Sequence, residues 1–177
     1  MRTIIISLPL IILLTICFFV LIYLIQGNDP SKPPSVLINK AIPNFESKNL
    51  FDENDILSNK YLKNKYVLIN FFASWCAPCK KEHPLFFKIK KDFPKTYLLG
   101  INHKDKINDA QNYLNNYGNP YTFVGIDKEG QIALEFGVFG LPETFIINNN
   151  GKIIFKHIGP LTKKIINNEI KPLLQKN

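Results

Sequence analysis

The feature that most limits how this chain can fold is a long uncharged segment near its N-terminus. From Ile4 to Ile25 the sequence has 22 residues without a charge, and nearly all of them are apolar. A helix rises about 1.5 Å per residue, so this segment is long enough to cross a bilayer hydrocarbon core of about 30 Å. The sequence therefore predicts a transmembrane helix at 4–25, with the remaining chain folding outside the bilayer.

A cleavable signal peptide is the alternative interpretation of this segment. The apolar part of a signal peptide usually has about 7–15 residues and ends at a cleavage site of small residues. The segment here is longer, and LIYLIQGNDP (21–30) contains no such site. We therefore favour an uncleaved anchor. Arg2 on its N-terminal side predicts that residues 1–3 lie in the cytoplasm and that the chain after the anchor lies outside.

The chain after the anchor divides into a linker and one domain. Residues 26–40 are mostly polar and contain three prolines, which predicts a semi-stiff linker. From 41 to 177 strand and helix patterns alternate. Strands are predicted at 66–72, 96–101 and 121–126, followed by a hairpin around NNNG (148–151), and helices are predicted after 76, at 107–117 and at 165–174. This order predicts an α/β fold with a mixed sheet.

The charge of the chain is high but spread along the sequence. Lys and Arg total 22 and Asp and Glu total 14, a formal net charge of +8. Nucleic-acid-binding proteins concentrate positive charge in a cluster or stripe, whereas these lysines are scattered among Asn, Asp and Glu. Three cysteines in 177 residues are too few for a disulfide-scaffolded secreted domain. These patterns argue against nucleic-acid binding and against such a scaffold.

Two of the three cysteines, Cys76 and Cys79, follow the strand predicted at 66–72. Three interpretations compete: a metal site, a structural disulfide, or a pair that exchanges disulfides. A structural zinc site needs about four ligands, commonly two close pairs, and His83, His103 and His157 show no such spacing. A structural disulfide closing so short a loop removes little chain entropy. A pair that exchanges disulfides accounts best for the position of these two cysteines after the strand.

A buried strand that runs straight into a helix places Cys76 in the first helical turn. There the unpaired N–H groups and the helix dipole stabilise an anion, so a lowered thiolate pKa is expected. Cys79, one turn later, lies within reach to resolve a mixed disulfide, and Pro78 stiffens the loop between them. Trp75 either shields the pair and offers a flat surface to a partner, or simply packs in the core.

Several segments together carry a resemblance to a known family. They are NFFASWCAPCKKEHP (70–84), GINHKD (100–105), YGNPY (117–121), FGVFGLPETFIIN (136–148) and HIGPL (157–161). They resemble the membrane-anchored thiol:disulfide interchange proteins of the DsbE/CcmG type, which serve cytochrome c maturation. The resemblance extends from about residue 41 to 161. It implies a thioredoxin-like fold, with a mixed central sheet flanked by helices, preceded by one N-terminal transmembrane helix.

The resemblance implies roles for individual residues. Cys76 matches the attacking cysteine and Cys79 the resolving one, which together form the redox-active disulfide. Pro142 matches a cis proline beside that disulfide, preceded by extended backbone that can pair with a substrate strand. Glu82 matches an acid on the active-site helix that raises thiol pKa values or relays the proton of the resolving cysteine. Glu143 matches an acid that adds negative potential to the substrate groove.

For both acids a solvated surface position is the alternative, because exposed glutamates are common. Three positions depart from the general pattern or carry no assignment. Asn70 replaces the buried aspartate of general thioredoxins, which shifts the acid role to Glu82. Phe139 replaces a tyrosine and so lacks a hydroxyl. His103 receives no chemical role.

The predicted function is a membrane-anchored thiol–disulfide oxidoreductase in the cytoplasmic (inner) membrane, with its C-terminal domain in the periplasm. By resemblance, it reduces disulfides of apocytochrome c or of cytochrome-assembly thiol proteins. A transmembrane thiol reductase supplies the electrons, since the chain has no nicotinamide or flavin motif. No cofactor, metal or nucleic acid is predicted. The alternatives are a general extracytoplasmic reductase of the TlpA/ResA kind and a non-catalytic peptide-binding module.

Overall fold

A computed structural model describes residues 2–25 and 37–175 of the chain. Met1 and most of the predicted linker, residues 26–36, lie outside the described residues, as do residues 176–177. The N-terminal part is one helix, α1 (Arg2–Ile25). Its segment Leu8–Ile25 is the one described helix long and apolar enough to cross a membrane, a property that signal sequences share.

Residues 37–175 alternate between strands and helices. In chain order, the elements are β1 (Glu46–Lys48), β2 (Ile56–Ser58), a 3-10 helix (Asn59–Leu62), β3 (Val67–Phe72), α2 (Ala77–Asp92), β4 (Tyr97–His103), α3 (Ile107–Tyr117), β5 (Phe123–Asp127), α4 (Gln131–Glu135), β6 (Glu143–Ile147), β7 (Ile153–Ile158), α5 (Lys163–Ile165), a π-turn (Ile166–Ile170) and α6 (Lys171–Leu174). The elements from α5 to α6 are continuous and form the predicted C-terminal helix.

Five strands form the central sheet in the order β5-β4-β3-β6-β7. Strands β3, β4 and β5 are parallel, whereas β6 runs antiparallel to β3 and β7 antiparallel to β6. Helices α2 and α3 connect the parallel strands, as such connections require. This mixed sheet flanked by helices confirms the predicted thioredoxin-like fold.

Strand β3 is buried along its whole length and separates two layers of the core. Side chains at alternate positions of a strand point to opposite faces. Leu68 and Phe72 therefore pack with α2, α3 and the C-terminal helix, and Asn70 between them faces the same layer. Val67 and Phe71 pack on the opposite layer, formed by α4 and the β1–β2 hairpin. Asn70 is thus a polar residue directed at the helix that carries the cysteines.

Three elements have no counterpart among the predicted ones: the short hairpin of β1 and β2, the 3-10 helix and α4. Each strand or helix among them has only three to five residues, too few for a periodic pattern. The predicted strand at 121–126 begins at Phe123 instead. Pro172 predicts a distortion at the end of the last helix, and the distortion lies earlier, in the π-turn Ile166–Ile170. Proline has no N–H to bond to the carbonyl four residues before it, which loosens that preceding turn.

Candidate redox site

The two cysteines form a disulfide where β3 leads into α2. Cys76 is the N-cap of α2, and its Sγ accepts a hydrogen bond from the backbone N–H of Cys79 at 3.2 Å. The prediction that Cys76 lies in the first turn is wrong by one residue, because its backbone is extended and the helix begins at Ala77. Pro78 follows in the first turn, where its missing N–H leaves no helical bond unmade. The position of Cys76 still favours an anionic sulfur, since it faces the positive end of the helix.

Asp105 fixes the loop in front of the cysteines. Its Oδ2 accepts hydrogen bonds from the Ser74 backbone N–H at 2.6 Å and from Asn102 Nδ2 at 3.0 Å. Its Oδ1 accepts from the Ser74 hydroxyl and the Lys106 backbone N–H, both at 2.9 Å. The carboxylate therefore ties the segment after β3 to the segment after β4. No pattern in the sequence assigns this role to Asp105.

Trp75 lies on the surface beside the disulfide. The residue is 60% exposed, and its indole Nε1 donates a hydrogen bond to the Lys104 carbonyl at 3.1 Å. The alternative that Trp75 packs in the core is therefore wrong. The exposed ring is held in place by this bond, as a contact surface for a partner requires, and this role stays a prediction.

Glu82 is buried on α2, three residues after Cys79, with 1% of the residue exposed, so the alternative of a solvated glutamate is wrong. Its Oε1 accepts a hydrogen bond from Asn70 Nδ2 at 2.9 Å, and its Oε2 accepts one from the Leu161 backbone N–H at 2.6 Å. Burial raises the pKa of Glu82 to about 7, although these two hydrogen bonds act in the opposite direction. The carboxyl therefore changes its charge near neutral pH.

The neighbouring strands of the sheet position the polar network around Asn70. In the strand register Asn70 lies between Gly100 on β4 and Thr144 on β6. A Cβ on Gly100 would lie 2.9 Å from the ring of Tyr121, so only glycine lets that ring pack over the strand. The Tyr121 hydroxyl then donates to Asn70 Oδ1 at 2.8 Å, and Asn70 Nδ2 donates to Thr144 Oγ1 at 3.2 Å. Asn70 therefore has partners for both ends of its amide while it holds Glu82.

Pro142 precedes β6, and the Leu141–Pro142 peptide bond is cis, as the resemblance implies. Glu143, the next residue, is completely buried, so its alternative as a solvated rim residue is wrong. Its Oε1 accepts hydrogen bonds from the backbone N–H groups of Phe139 at 2.7 Å and Gly140 at 3.3 Å. The carboxylate thus fixes the loop that leads to the cis proline.

Lys156 on β7 neutralises Glu143. Its Nζ lies 3.1 Å from Glu143 Oε2 in an ion pair and donates a hydrogen bond to the Gly137 carbonyl at 2.6 Å. The same ammonium lies 5.0 Å from the ring centroid of Phe139, which is 72% exposed. Because the charge of Glu143 is paired, it adds little of the negative potential expected in the groove. Sequence reasoning missed Lys156, although its position next to β6 follows from the predicted hairpin.

His103 belongs to a structural contact. Its Nδ1 lies 3.0 Å from Asp127 Oδ2, and Asp127 also accepts the backbone N–H groups of Ile132 and Ala133 in α4. Burial acts to raise the pKa of Asp127, but these hydrogen bonds and His103 outweigh it and lower the pKa overall. Within residues 2–25 and 37–175, no three His, Cys, Asp or Glu side chains are grouped so that they could hold a metal ion.

The sheet topology and the position of the disulfide define the class of this protein. A Cys-x-x-Cys pair at a helix N-terminus, delivered by the central strand of a mixed sheet, is the arrangement of thioredoxin-like thiol–disulfide oxidoreductases. Comparisons with known proteins agree with this class. The sequence profile of the AhpC/TSA family matches residues 38–156.

Relatives of known name cover nearly the whole chain. The thiol:disulfide interchange protein HelX of Rhodobacter capsulatus is 38% identical over 152 residues, which are 86% of this chain and 85% of HelX. The thiol:disulfide interchange protein DsbE of Escherichia coli K12 is 35% identical over 184 aligned positions, covering 99% of this chain and 96% of DsbE. The chain therefore belongs to the AhpC/TSA family of thioredoxin-like proteins, among the thiol:disulfide interchange proteins of the DsbE type.

Solved structures share the fold. A Chlorobium tepidum protein assigned as a DsbE superposes with a TM-score of 0.70 at 24% identity, covering 77% of this chain and 97% of that one. A secreted thiol-disulfide isomerase of Corynebacterium glutamicum gives a TM-score of 0.70 at 20% identity, covering 84% and 96%. At these identities the superpositions support the fold alone.

Proposed function

We propose that this protein is a membrane-anchored reductant that reduces disulfides of apocytochrome c or of its assembly partners. The observation that carries the proposal is the Cys76–Cys79 disulfide at the start of α2, in a chain 35% identical to a DsbE along almost its whole length. Haem attachment needs free cysteine thiols, whereas the compartment outside the cytoplasmic membrane is oxidising. A dedicated reductant resolves that conflict.

The proposed reaction has two exchange steps. The Cys76 thiolate attacks one sulfur of the substrate disulfide, forming a mixed disulfide and releasing the other substrate sulfur as a thiolate. The Cys79 thiolate then attacks Cys76 Sγ, which releases the second substrate thiolate and leaves the Cys76–Cys79 disulfide. Two electrons pass to the substrate, and a transmembrane thiol reductase restores them to this protein by the reverse exchange.

Glu82 is proposed to relay the proton of the resolving cysteine. Cys79 and Glu82 are both buried and lie three residues apart on α2, so they occupy adjacent turns of one helix face. Cys79 must lose its proton before it can attack. A buried carboxyl with a pKa of about 7 is suited to accept that proton near neutral pH. Cys76 does not need this help, because the helix end stabilises its thiolate.

Helix α1 is proposed to hold the domain at the membrane. Its segment Leu8–Ile25 has the length and composition of a single membrane span. In this proposal residues 1–3 lie in the cytoplasm, 26–40 form the linker, and the domain at 41–177 lies in the periplasm. Tethering keeps the reductant at the membrane surface, where both an integral-membrane electron donor and exported substrates pass.

Trapping of mixed disulfides tests the substrate. In the full chain, Cys79→Ser leaves Cys76 able to attack but removes the resolving thiol, so partners remain covalently attached. We expect apocytochrome c or cytochrome-assembly thiol proteins to be recovered from cells that make c-type cytochromes, with Cys76→Ser/Cys79→Ser as the control. Recovery of unrelated exported proteins alone would instead identify a general extracytoplasmic reductase. Non-covalent binding that survives in the control, without any trapped disulfide, would identify a binding module.

The direction of electron flow is tested separately by equilibration with glutathione. Potentials across thioredoxin-like proteins span about 150 mV, or roughly 7 kcal/mol for two electrons. A reductant is expected toward the thioredoxin end of that range. A potential near that of the strong oxidants, about −120 mV, contradicts the proposed reductase.

A further inference from the structure

A lysine-lined groove lies beside Trp75, on the surface next to the disulfide. We propose that this groove binds an acidic stretch of polypeptide in the partner whose disulfide Cys76 attacks. The inference rests on the proposed function, because it requires that a protein disulfide be exchanged at Cys76. The inference predicts that the partner's segment is acidic, a property that the family relationship does not indicate.

The groove is formed by the two loops that follow β3 and β4, together with the end of β5. Ser74 and Trp75 line it from the loop after β3, and Lys104 and Lys106 line it from the loop after β4. Lys128, just after β5, also lines it. These residues are far apart in the sequence, and the parallel strands bring them together because their carboxyl ends lie at the same edge of the sheet. Lysines that are separated in the sequence are therefore clustered in the folded protein.

The groove carries an excess of positive charge. Asp105 also lines it, but its two oxygens already accept four hydrogen bonds, which leaves this carboxylate little capacity for a further partner. Asp109 is the other acid of the lining. Among the residues that the structure describes, no carboxylate forms an ion pair with Lys104, Lys106 or Lys128. Within that part of the chain, these three ammonium groups are therefore able to meet acids of a partner.

The start of α2 extends the same charge along the chain. Lys80 and Lys81 follow Cys79 directly, and both are exposed. The nearest acid in the sequence, Glu82, is buried, and its pKa is raised to about 7 by that burial. Exposed cations therefore occur both beside Trp75 in the groove and after Cys79 on the helix.

A polypeptide is the occupant that this geometry favours. The groove is continuous with Trp75, and Trp75 is the residue next to Cys76, so a chain with its disulfide at Cys76 can place flanking residues against the lysines. Carboxylates in that flank would meet the three ammonium groups of the groove, and a cleft with an excess of one charge speeds association with the opposite charge. An anionic lipid surface would meet the same lysines without needing the disulfide, and the test separates the two.

Reduction of paired model peptides tests the proposal. The full-length reduced protein, in a non-ionic detergent, is mixed with peptides that share one disulfide and differ only in flanks of Asp and Glu or of Ser and Asn. We expect the acidic peptide to be reduced about tenfold faster at low ionic strength, with the difference shrinking as salt is raised. Lys106→Glu/Lys128→Glu should remove or reverse this preference, measured as the ratio of the two peptides' rates in the same variant.

A matched variant controls for net charge. Lys60→Glu/Lys63→Glu makes the same change of charge at exposed positions before β3, at the opposite end of that strand from the cysteines. This control should keep the preference for the acidic peptide. Equal rates for the two peptides, or equal effects of the two variants, would overturn the groove proposal and leave the reductase function standing. Failure to reduce either peptide would overturn both.

A vesicle arm addresses the lipid alternative. The full-length protein is placed in phosphatidylcholine proteoliposomes, which are then mixed with vesicles of phosphatidylcholine with and without phosphatidylglycerol. Phosphatidylglycerol-dependent association that Lys106→Glu/Lys128→Glu abolishes, combined with no peptide preference, would identify a lipid-binding surface and contradict the polypeptide proposal. The polypeptide proposal is supported if Lys106→Glu/Lys128→Glu leaves vesicle association unchanged and the wild-type protein prefers the acidic peptide.

Discussion

Replacing Cys76 with serine is expected to abolish disulfide exchange, whereas Cys79→Ser is expected to stop the reaction after its first step. A serine hydroxyl is not ionised near neutral pH and cannot attack a disulfide sulfur as a thiolate does. In Cys79→Ser the attack of Cys76 still occurs, so the expected product is one covalently bound substrate per protein and no turnover. The measurement is the reduction of a fluorogenic peptide disulfide, with mass spectrometry of the protein after the reaction.

Cys17→Ser is the control for this experiment. Cys17 is the third cysteine and lies in α1, outside the domain that carries the redox pair. This variant should retain the wild-type rate. The assignment of roles to Cys76 and Cys79 would be contradicted if Cys76→Ser, combined with Cys17→Ser, still formed a mixed disulfide with the peptide, because Cys79 would then be the attacking sulfur.

The second large effect is expected from Glu82→Gln, which keeps the shape of the side chain but cannot accept a proton. Proton transfer by a positioned side chain typically contributes about 10²–10⁴-fold to a rate. We expect resolution of the mixed disulfide to slow by at least about 100-fold at pH 8, with little change in the first attack by Cys76. The wild-type rate of resolution should rise with pH through about 7, where Glu82 ionises, and the variant should lose that rise.

Glu82 also makes the stability of the fold depend on pH. Because burial raises its pKa, the stability is expected to fall as the pH rises. Its pKa is about 7 in the folded protein, against an ordinary value of 4.5 for an exposed glutamate, so folding favours the protonated form. The stabilisation is fully present below pH 4.5 and is lost as the pH rises through 7, amounting to about 3 kcal/mol. Glu82→Gln should remove this loss, which urea unfolding at pH 5 and pH 8 measures.

These two readouts distinguish a proton relay from a merely structural role. A slower resolution at every pH, with the wild-type inflection retained, would contradict the relay. The free energy of unfolding is measured for the wild-type protein and for Glu82→Gln at pH 5 and pH 8. If the difference between the two proteins is the same at both pH values, the pKa of Glu82 is not raised. Asn70→Asp is an informative companion, because it places a second carboxyl next to Glu82 and should raise the pKa of the pair further.

Local patterns in the sequence are sufficient to predict the main strands and helices. The apolar run at 66–72 predicts the buried strand β3, and the spacing of Leu85, Phe86 and Ile89 predicts the helix that continues through Pro84. The burial of Glu82 could also have been predicted. Four of the five buried residues of α2, Cys79, Glu82, Phe86 and Ile89, lie at steps of three and four, so Glu82 lies on the apolar stripe of that helix.

Contacts between distant segments could not be read from local patterns. Asp105 caps the loop before the cysteines only because β3 and β4 are parallel and end at the same edge, which places residues 74 and 105 together. Lys156 reaches Glu143 because β7 pairs with β6. In each case no local pattern shows which charged residue will be held by contacts to a distant segment, since lysine and aspartate are usually exposed. The lysine cluster beside Trp75 was hidden for the same reason.

Titration of the two thiols in the reduced protein tests the central claim most directly. Cys76 Sγ is the N-cap acceptor of α2, so its thiolate should be stabilised by the helix end. Alkylation rates with iodoacetamide, followed residue by residue across pH, should show Cys76 ionising well below the value of about 8.5 for free cysteine. Ionisation of Cys76 no more readily than a free cysteine would contradict this account.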